Sequence, residues 1–446
     1  MIKKFLYNLI LVIRGADFKK QYMEILNMVN DANIQRNVEK YLRILLEHAY
    51  FNTEYYNKII EEAGVYVNRQ VNLRNFRCIP LLTKEIVRNH MKELVSRDLG
   101  TRKWYYNSSG GSTGEPVRFI QDELYDKWRN ATIKYYYENI INVDELRVKK
   151  ILLWGSEREI FEHTLGLKAK IINWLTNTKF LNSFRMTESN MERYIKIINS
   201  YKPDLIRGYA GSLYEICKFI EKKGINIHQP KVVISSAEKL RKEMREKIES
   251  VFGVKVYDFY GSREVNGIAG ECNAGLLHIF MFNTYVEVLN KHGFHVKEGE
   301  MGKIIVTTLH NYSMPLVRYE IGDTAILGPK NCKCGNPLPT LKEVTGRITD
   351  HFIKEDGTMV HGEYFTHLFY LKDWIKAFQV IQEDYRKIRI LAVLQGDINM
   401  AEKREIENKI KLVMGKDCNI VWEFVEEIPK TRSGKHLYTK SLLYHT

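Results

Sequence analysis

Between Lys150 and Asp258 the chain alternates short apolar runs with segments of helical length, and this limits its fold more than any other feature. Lys150–Trp154, Asp204–Arg207, Lys231–Ile234 and Lys255–Asp258 read as strands. Met191–Ser200, Ser212–Lys223 and Leu240–Phe252 carry apolar residues at helical spacing. Parallel strands need crossover connections of about a dozen residues or more, usually helical, and the alternation supplies them. The expectation is an α/β fold with a largely parallel sheet.

The flanking regions read differently. Residues 1–99 are predicted mostly helical, over Phe18–Val29, Val38–Ala63 and Lys84–Val95, with Thr83 as an N-cap. A further helix is predicted over Asp122–Tyr137. From Glu287 to Leu327 the pattern becomes strand-rich, with turns at Gly293, Gly299 and Gly302. Past Gly346 it changes to a small α+β unit with strands at Phe378–Ile381, Lys387–Val393 and Asn419–Val425 and a helix near Ala401–Met414. At 446 residues the chain exceeds one ordinary core. The expected division is a large domain over 1–345, a connection at 346–350 and a small domain over 351–446.

The formal charge of +14 raises nucleic acid as a partner. The basic residues interleave with glutamates along helical stretches such as Lys239–Lys247, the pattern of a solvated face, so nucleic-acid binding is not expected. Six cysteines in so long a chain do not form a disulfide framework, and a reducing compartment is expected. The apolar N-terminal run is short, is interrupted by Asn8 and ends in Arg14, unlike a signal peptide. The reading is cytoplasmic, with weak membrane association of this segment left open.

Ser108, Ser109, Gly110, Gly111 and Ser112 lead into Thr113, Gly114, Glu115 and Pro116. Such a run suits no packed helix or strand, whereas backbone N–H groups and hydroxyls wrapped around a polyphosphate require it. The alternative is a flexible loop without a ligand. Four further segments carry chemistry. Tyr260-Gly-Ser-Arg-Glu264 follows a predicted strand, where Glu264 could hold a metal ion bridging phosphates. Arg318-Tyr-Glu-Ile-Gly-Asp323 places at a strand end an aspartate able to accept from both ribose hydroxyls. Arg347 suits phosphate or ribose, and Ser433-Gly-Lys435 sets a lysine on a glycine turn.

In this order the segments resemble the core motifs of the adenylate-forming superfamily, which includes acyl-CoA synthetases and adenylation domains. Within it the chain is most similar to the phenylacetate–CoA ligase group and its capsule-biosynthesis relatives. The motifs are Ser108–Pro116, Ser236-Ala-Glu238, Asp258-Phe-Tyr-Gly261 with Glu264, Arg318 with Gly322-Asp323, Gly346-Arg347 and Ser433-Gly-Lys435.

The resemblance implies a large domain with parallel sheets and a β-rich part, and a small mobile C-terminal domain. It implies that a carboxylate attacks the α-phosphate of ATP-Mg, and that a second nucleophile then takes the acyl group. Ser108–Gly114 would hold the β- and γ-phosphates and Glu264 the magnesium. Ser236, Ala237 and Glu238 with Asp258, Phe259, Tyr260, Gly261 and Ser262 would frame the adenine. Asp323 and Arg347 would fix the ribose, with Arg318 beside them, and Lys435 would screen carboxylate from α-phosphate. The acyl pocket would lie near Tyr136, Tyr209, Ala210, Gly211 and Ser235, with Trp128 and Tyr135 as further aromatic candidates; a core stripe is the alternative for the aromatics, and Arg207 suits a polar or acidic acid.

The acceptor stays open: CoA, a carrier-protein thiol, or an amine in surface-polysaccharide synthesis. Adenylyl transfer to a hydroxyl and an inactive binding protein are the rival readings. Arg263, Lys239 and Thr349 depart from the family pattern, so the hinge falls on Thr349 or Asp350.

Cys332-Lys-Cys334 and the pair Cys272 and His278 together supply a Cys3His set suited to a closed tetrahedral zinc site. Otherwise Cys272 is simply buried and His278 packs in a strand. Some relatives in the resembled group carry a similar cluster. Cys78 and Cys217 read as core residues.

Overall fold

The computed structural model describes residues 2–108, 117–154, 167–183, 188–347, 351–355, 359–361, 365, 368–369, 372, 374–428 and 439–443. The chain divides between Thr345 and Gly346 into two compact units.

The larger unit is organised by an eleven-stranded sheet. Its strands lie in the order of those beginning at residues 284, 301, 319, 340, 277, 266, 256, 232, 205, 150 and 178. The last five are parallel. Between them run the helices Glu188–Tyr201, Ala210–Lys223 and Lys242–Phe252, the crossovers that parallel pairing demands. Alternation along the strands sends Ile206, Val233 and Val256 to these helices. Leu205, Ile234 and Phe259 go to the opposite core, shared with the N-terminal helices and the helix Glu123–Tyr135. From Thr284 onward the strands run antiparallel as a meander, the β-rich part of the fold.

Two local differences from the sequence reading have clear causes. The single helix expected over Val38–Ala63 is two, Ile34–Asn52 and Glu54–Glu62. Buried Thr53 breaks it. Its hydroxyl donates to the Ala49 carbonyl at 2.8 Å and accepts from the Tyr56 N–H at 3.2 Å, closing one helix and capping the next. The helical N-terminal region is also interrupted by a tight hairpin, Tyr66–Val67 against Gln70–Val71. Its corner residues Asn68 and Arg69 both have positive φ, the conformation a two-residue hairpin turn requires. Thr83 caps the helix Lys84–Asn89 through its hydroxyl, as expected.

The smaller unit has a four-stranded sheet in the order 419, 387, 375, 439 by first residue, with the helix Met400–Met414. Ile406, Ile410 and Met414 of that helix are buried with Phe378, Val380, Ile388 and Ile390. Among the described residues no helix is long and apolar enough to cross a membrane.

Candidate active site and cysteine–histidine cluster

The strands Trp104–Ser108 and Arg118–Asp122 pair antiparallel, with Ser108 opposite Arg118. The small-residue loop therefore springs from adjacent strand positions, although Ser109, Gly110, Gly111, Ser112, Thr113 and Gly114 lie outside the described residues. Gln121 ties this hairpin to the turn that carries Glu264. Its Nε2 donates to the Arg263 carbonyl at 2.9 Å and to the Glu264 carbonyl at 3.3 Å. Tyr125 adds its hydroxyl to the same carbonyl at 3.4 Å. Sequence reading missed Gln121, because a glutamine in a strand carries no signature of its own. The Glu264 carboxylate is buried and takes one long hydrogen bond, 3.4 Å, from the Tyr319 hydroxyl. An acceptor-only anion so lightly engaged fits a magnesium ligand.

Glu264 follows the strand Val256–Ser262, which lies parallel to Val232–Ser236 and Leu205–Tyr209. Ligands in open α/β sheets bind beyond the carboxyl ends of such strands, and Ser236 and Ser262 end two of them. Gly261 has no room for a side chain, since a Cβ would lie 2.2 Å from the Asn266 carbonyl oxygen. Tyr260 donates its hydroxyl to Asp323 Oδ2 at 2.8 Å. Ser236 donates to the Phe259 carbonyl, and Val265 donates its N–H to the Ser262 hydroxyl. Ala237 takes φ +69, which turns Glu238 back toward the helix Ala210–Lys223, where its carboxylate accepts the Gly211 N–H at 2.7 Å. The Asp258 N–H donates to Glu271 Oε2 at 2.9 Å, and that carboxylate is paired with Arg245 at 2.7 Å. Burial and the Glu271 charge push the Asp258 carboxyl up to about 7, against the opposing pull of Arg245.

Arg318 is engaged by protein groups. Its Nε and Nη2 donate to the buried Glu287 carboxylate at 2.9 and 3.2 Å, and its Nη1 to the carbonyls of Arg77 and Ile79. With those donors engaged, Arg318 fastens the N-terminal region to the meander. Arg347 ends the strand Thr340–Arg347; Lys435, Thr349 and Asp350 lie outside the described residues.

The expected acyl-pocket aromatics are mostly core. Tyr136 is buried against Phe259 and Phe280 and donates to the Glu271 carbonyl. Gly270 allows this, as a Cβ there would sit 2.4 Å from the Tyr136 ring. Trp128 stacks on His310 at 3.6 Å, and the Tyr135 hydroxyl accepts from Asn336. Tyr209 packs on Trp154 beside buried Ala210. The Ser235 hydroxyl is buried with no hydrogen-bond partner among the described residues. Arg207 is the cation here. It lies 4.6 Å from the Phe259 ring centroid and contacts the Ser236 hydroxyl at 3.3 Å, and among the described residues its buried Nε has no hydrogen-bond partner.

The ligand atoms of Cys272, His278, Cys332 and Cys334 all lie within 4.8 Å of one another. Cys272 Sγ is 3.6 Å from Cys332 Sγ, and His278 Nε2 is 3.1 Å from Cys334 Sγ. A tetrahedral zinc with Zn–S distances of about 2.3 Å would set sulfurs roughly 3.8 Å apart, so the spacing fits. His278 is buried, and its Nδ1 donates to the Leu338 carbonyl at 2.9 Å, which turns the Nε2 lone pair toward the thiols. Burial opposes ionisation of Cys272, yet its polar contact with His278 and the nearby backbone of Leu276 and Ala274 hold its thiol below the ordinary value. Cys217 is buried as expected; Cys78 is exposed, on a 3-10 turn and not in the core.

Residues 352–441 match the CapK C-terminal domain. The chain is 25% identical to Protein CapK of Staphylococcus aureus over 455 residues, covering 96% of this chain and 95% of that protein. It is 26% identical to the phenylacetate–coenzyme A ligase of Aromatoleum evansii, over 70% of each. Among solved structures, a 2-hydroxyisobutyryl-CoA ligase in its postadenylation state superposes with a TM-score of 0.70 at 16% identity, over 93% of this chain and 90% of that one. The chain is thus similar over nearly its whole length to CapK and over most of it to phenylacetate–CoA ligases, and it has the fold of the AMP-forming 2-hydroxyisobutyryl-CoA ligase.

Proposed function

We propose that the protein activates a carboxylic acid with ATP and passes the acyl group to coenzyme A. The observation that carries this reading is the Tyr260–Asp323 bond beside the Glu264 turn, which joins two motifs that are far apart in the chain. In the first step a carboxylate oxygen attacks the α-phosphorus, and the bond to the β-phosphate breaks to release pyrophosphate. In the second, the thiol sulfur attacks the acyl carbon and AMP leaves. Both reactants of the first step are anions, so preorganised N–H donors and cations do the main work.

In this reading the Ser108–Gly114 loop cradles the β- and γ-phosphates. Asp323 and Arg347 hold the ribose, and the backbone of Ala237 and Asp258–Gly261 frames the adenine. Lys435 lies between the carboxylate and the α-phosphate. Glu264 would hold a magnesium ion that neutralises the leaving pyrophosphate. Zinc at the cysteine–histidine cluster would have four protein ligands and hence a structural role. Segment 346–350 would be the hinge about which the small unit turns between steps.

A second reading, an amine acceptor in surface-polysaccharide synthesis, draws on the CapK match of residues 352–441. Pyrophosphate–ATP exchange over aryl, fatty, hydroxy and amino acids, with Lys435→Ala as control, tests the first step. Exchange that depends on one class of acid and is lost in the variant supports it; no exchange with any acid sinks it. Addition of CoA or of amino sugars then separates the acceptors.

A further inference from the structure

The N-terminal helix Ile2–Ile13 packs on the body through Lys3, Tyr7, Ile10 and Leu11, all half-buried. Its lysine reaches across to the helix Leu167–Leu175, where Lys3 Nζ donates to the Trp174 carbonyl and to Asn177 Oδ1 and lies 4.4 Å from the Trp174 ring centroid. The opposite face of the same helix is also apolar. Leu6, Leu9, Val12 and Ile13 fall within about a third of a turn of one another and point to solvent, with Val12 59% and Ile13 75% exposed. The neighbouring helix Leu167–Leu175 and the strand Thr178–Asn182 also expose Ile171, Trp174 and Phe180. Surface helices normally turn polar residues outward, so an apolar outer face needs a cover.

The charges around it identify the cover. Across residues 1–20 and 167–182 there are eight basic residues and one acidic residue, Asp17. We infer that this face is a peripheral membrane-binding surface that seats on anionic lipid. The helix would lie in the interface plane with its outer face among the acyl chains, Trp174 at headgroup level and the lysines on lipid phosphates. It has twelve residues, too few to span a bilayer, so the mode is lying on the surface. A second copy is a poorer partner, because pairing the face with itself would oppose one basic surrounding to the other.

The test is flotation of the full chain with phosphatidylcholine vesicles that contain or lack phosphatidylglycerol, at low and high salt. The expected result is binding to the anionic vesicles only, weakened by salt, with Val12→Glu/Ile13→Glu reducing the partition coefficient by at least tenfold. The tryptophan emission should shift to the blue on adding these vesicles, and Trp174→Phe should diminish that shift. Unchanged binding by the double variant overturns the inference, as does failure of the wild-type chain to float. A concentration-dependent dimer in sedimentation velocity that the double variant abolishes, without vesicle binding, would assign the face to a second copy instead. Retained unfolding cooperativity in the double variant, whose two positions are exposed, separates lost binding from lost fold.

Discussion

Tyr260 donates its hydroxyl to Asp323 Oδ2 at 2.8 Å, joining residues 63 positions apart in the chain. The bond fixes one carboxylate oxygen of the aspartate expected to take the ribose hydroxyls. Tyr260→Phe should raise KM for ATP by about tenfold, the worth of one charge-assisted hydrogen bond, with little change in kcat. Asp323→Asn should cost more. Exchange kinetics at varied ATP measure both; a Tyr260→Phe enzyme with unaltered KM would show that this bond does not orient the site.

Arg318 and Glu287 form a buried, bidentate pair. Removing one partner strands the other charge, so Arg318→Ala should lose about 3–5 kcal/mol in urea unfolding. The double variant Arg318→Met/Glu287→Leu should recover most of it. Unfolding curves that leave Arg318→Ala as stable as wild type, with exchange abolished, would return this arginine to the chemistry.

His310 is buried against Trp128 and bonded to the Phe282 carbonyl, and burial pushes its pKa down to about 3. The unfolded chain takes up this proton near its ordinary value of 6.5 while the folded chain does not. The stability it contributes is present above 6.5 and is lost as pH falls toward 3. The unfolding equilibrium should shift about tenfold per pH unit in that window from this group. His310→Gln should flatten that slope, as measured by urea titrations between pH 4 and 7.

Metal analysis of purified protein should find about one zinc per chain at the cysteine–histidine cluster. His278→Ala and Cys334→Ser should each lose the metal and lower the melting temperature, and a chelator should do the same to the wild type. Protein prepared under reducing conditions that holds no zinc would remove the proposal.

Arg207 has no carboxylate partner among the described residues, and its Nε is buried without an acceptor. A cation left so costs free energy unless a ligand supplies the anion. The acid with the fastest exchange should therefore carry a second polar or anionic group. Arg207→Met should lower kcat/KM for that acid by at least about tenfold while leaving KM for ATP in place. A plain aliphatic acid turned over equally by both forms would exclude the role.

The α/β alternation was legible because each crossover helix shows its own apolar stripe, and the strands are short apolar runs between them. The four residues of the cysteine–histidine cluster were legible as a set of soft ligands, although only folding brings Cys332 within 3.6 Å of Cys272. The helix break at Thr53 was hidden, since one hydroxyl serving two helices leaves no trace in periodicity. The ion pair of Arg318 was hidden because its partner Glu287 stands 31 residues away, on a strand two places across the sheet. The core roles of Tyr136 and Trp128 were equally hidden: an aromatic stripe on a helix reads alike whether it meets substrate or packing.

The strand Thr340–Arg347 starts opposite His278 and ends past the boundary between the two units. The same histidine aims at Cys334, a few residues upstream of that strand. A bound ion there would work as a rivet at the start of this strand, pinning its first residues to the strand that carries His278. Stripping the metal would then leave that end of the strand held by its backbone ladder alone.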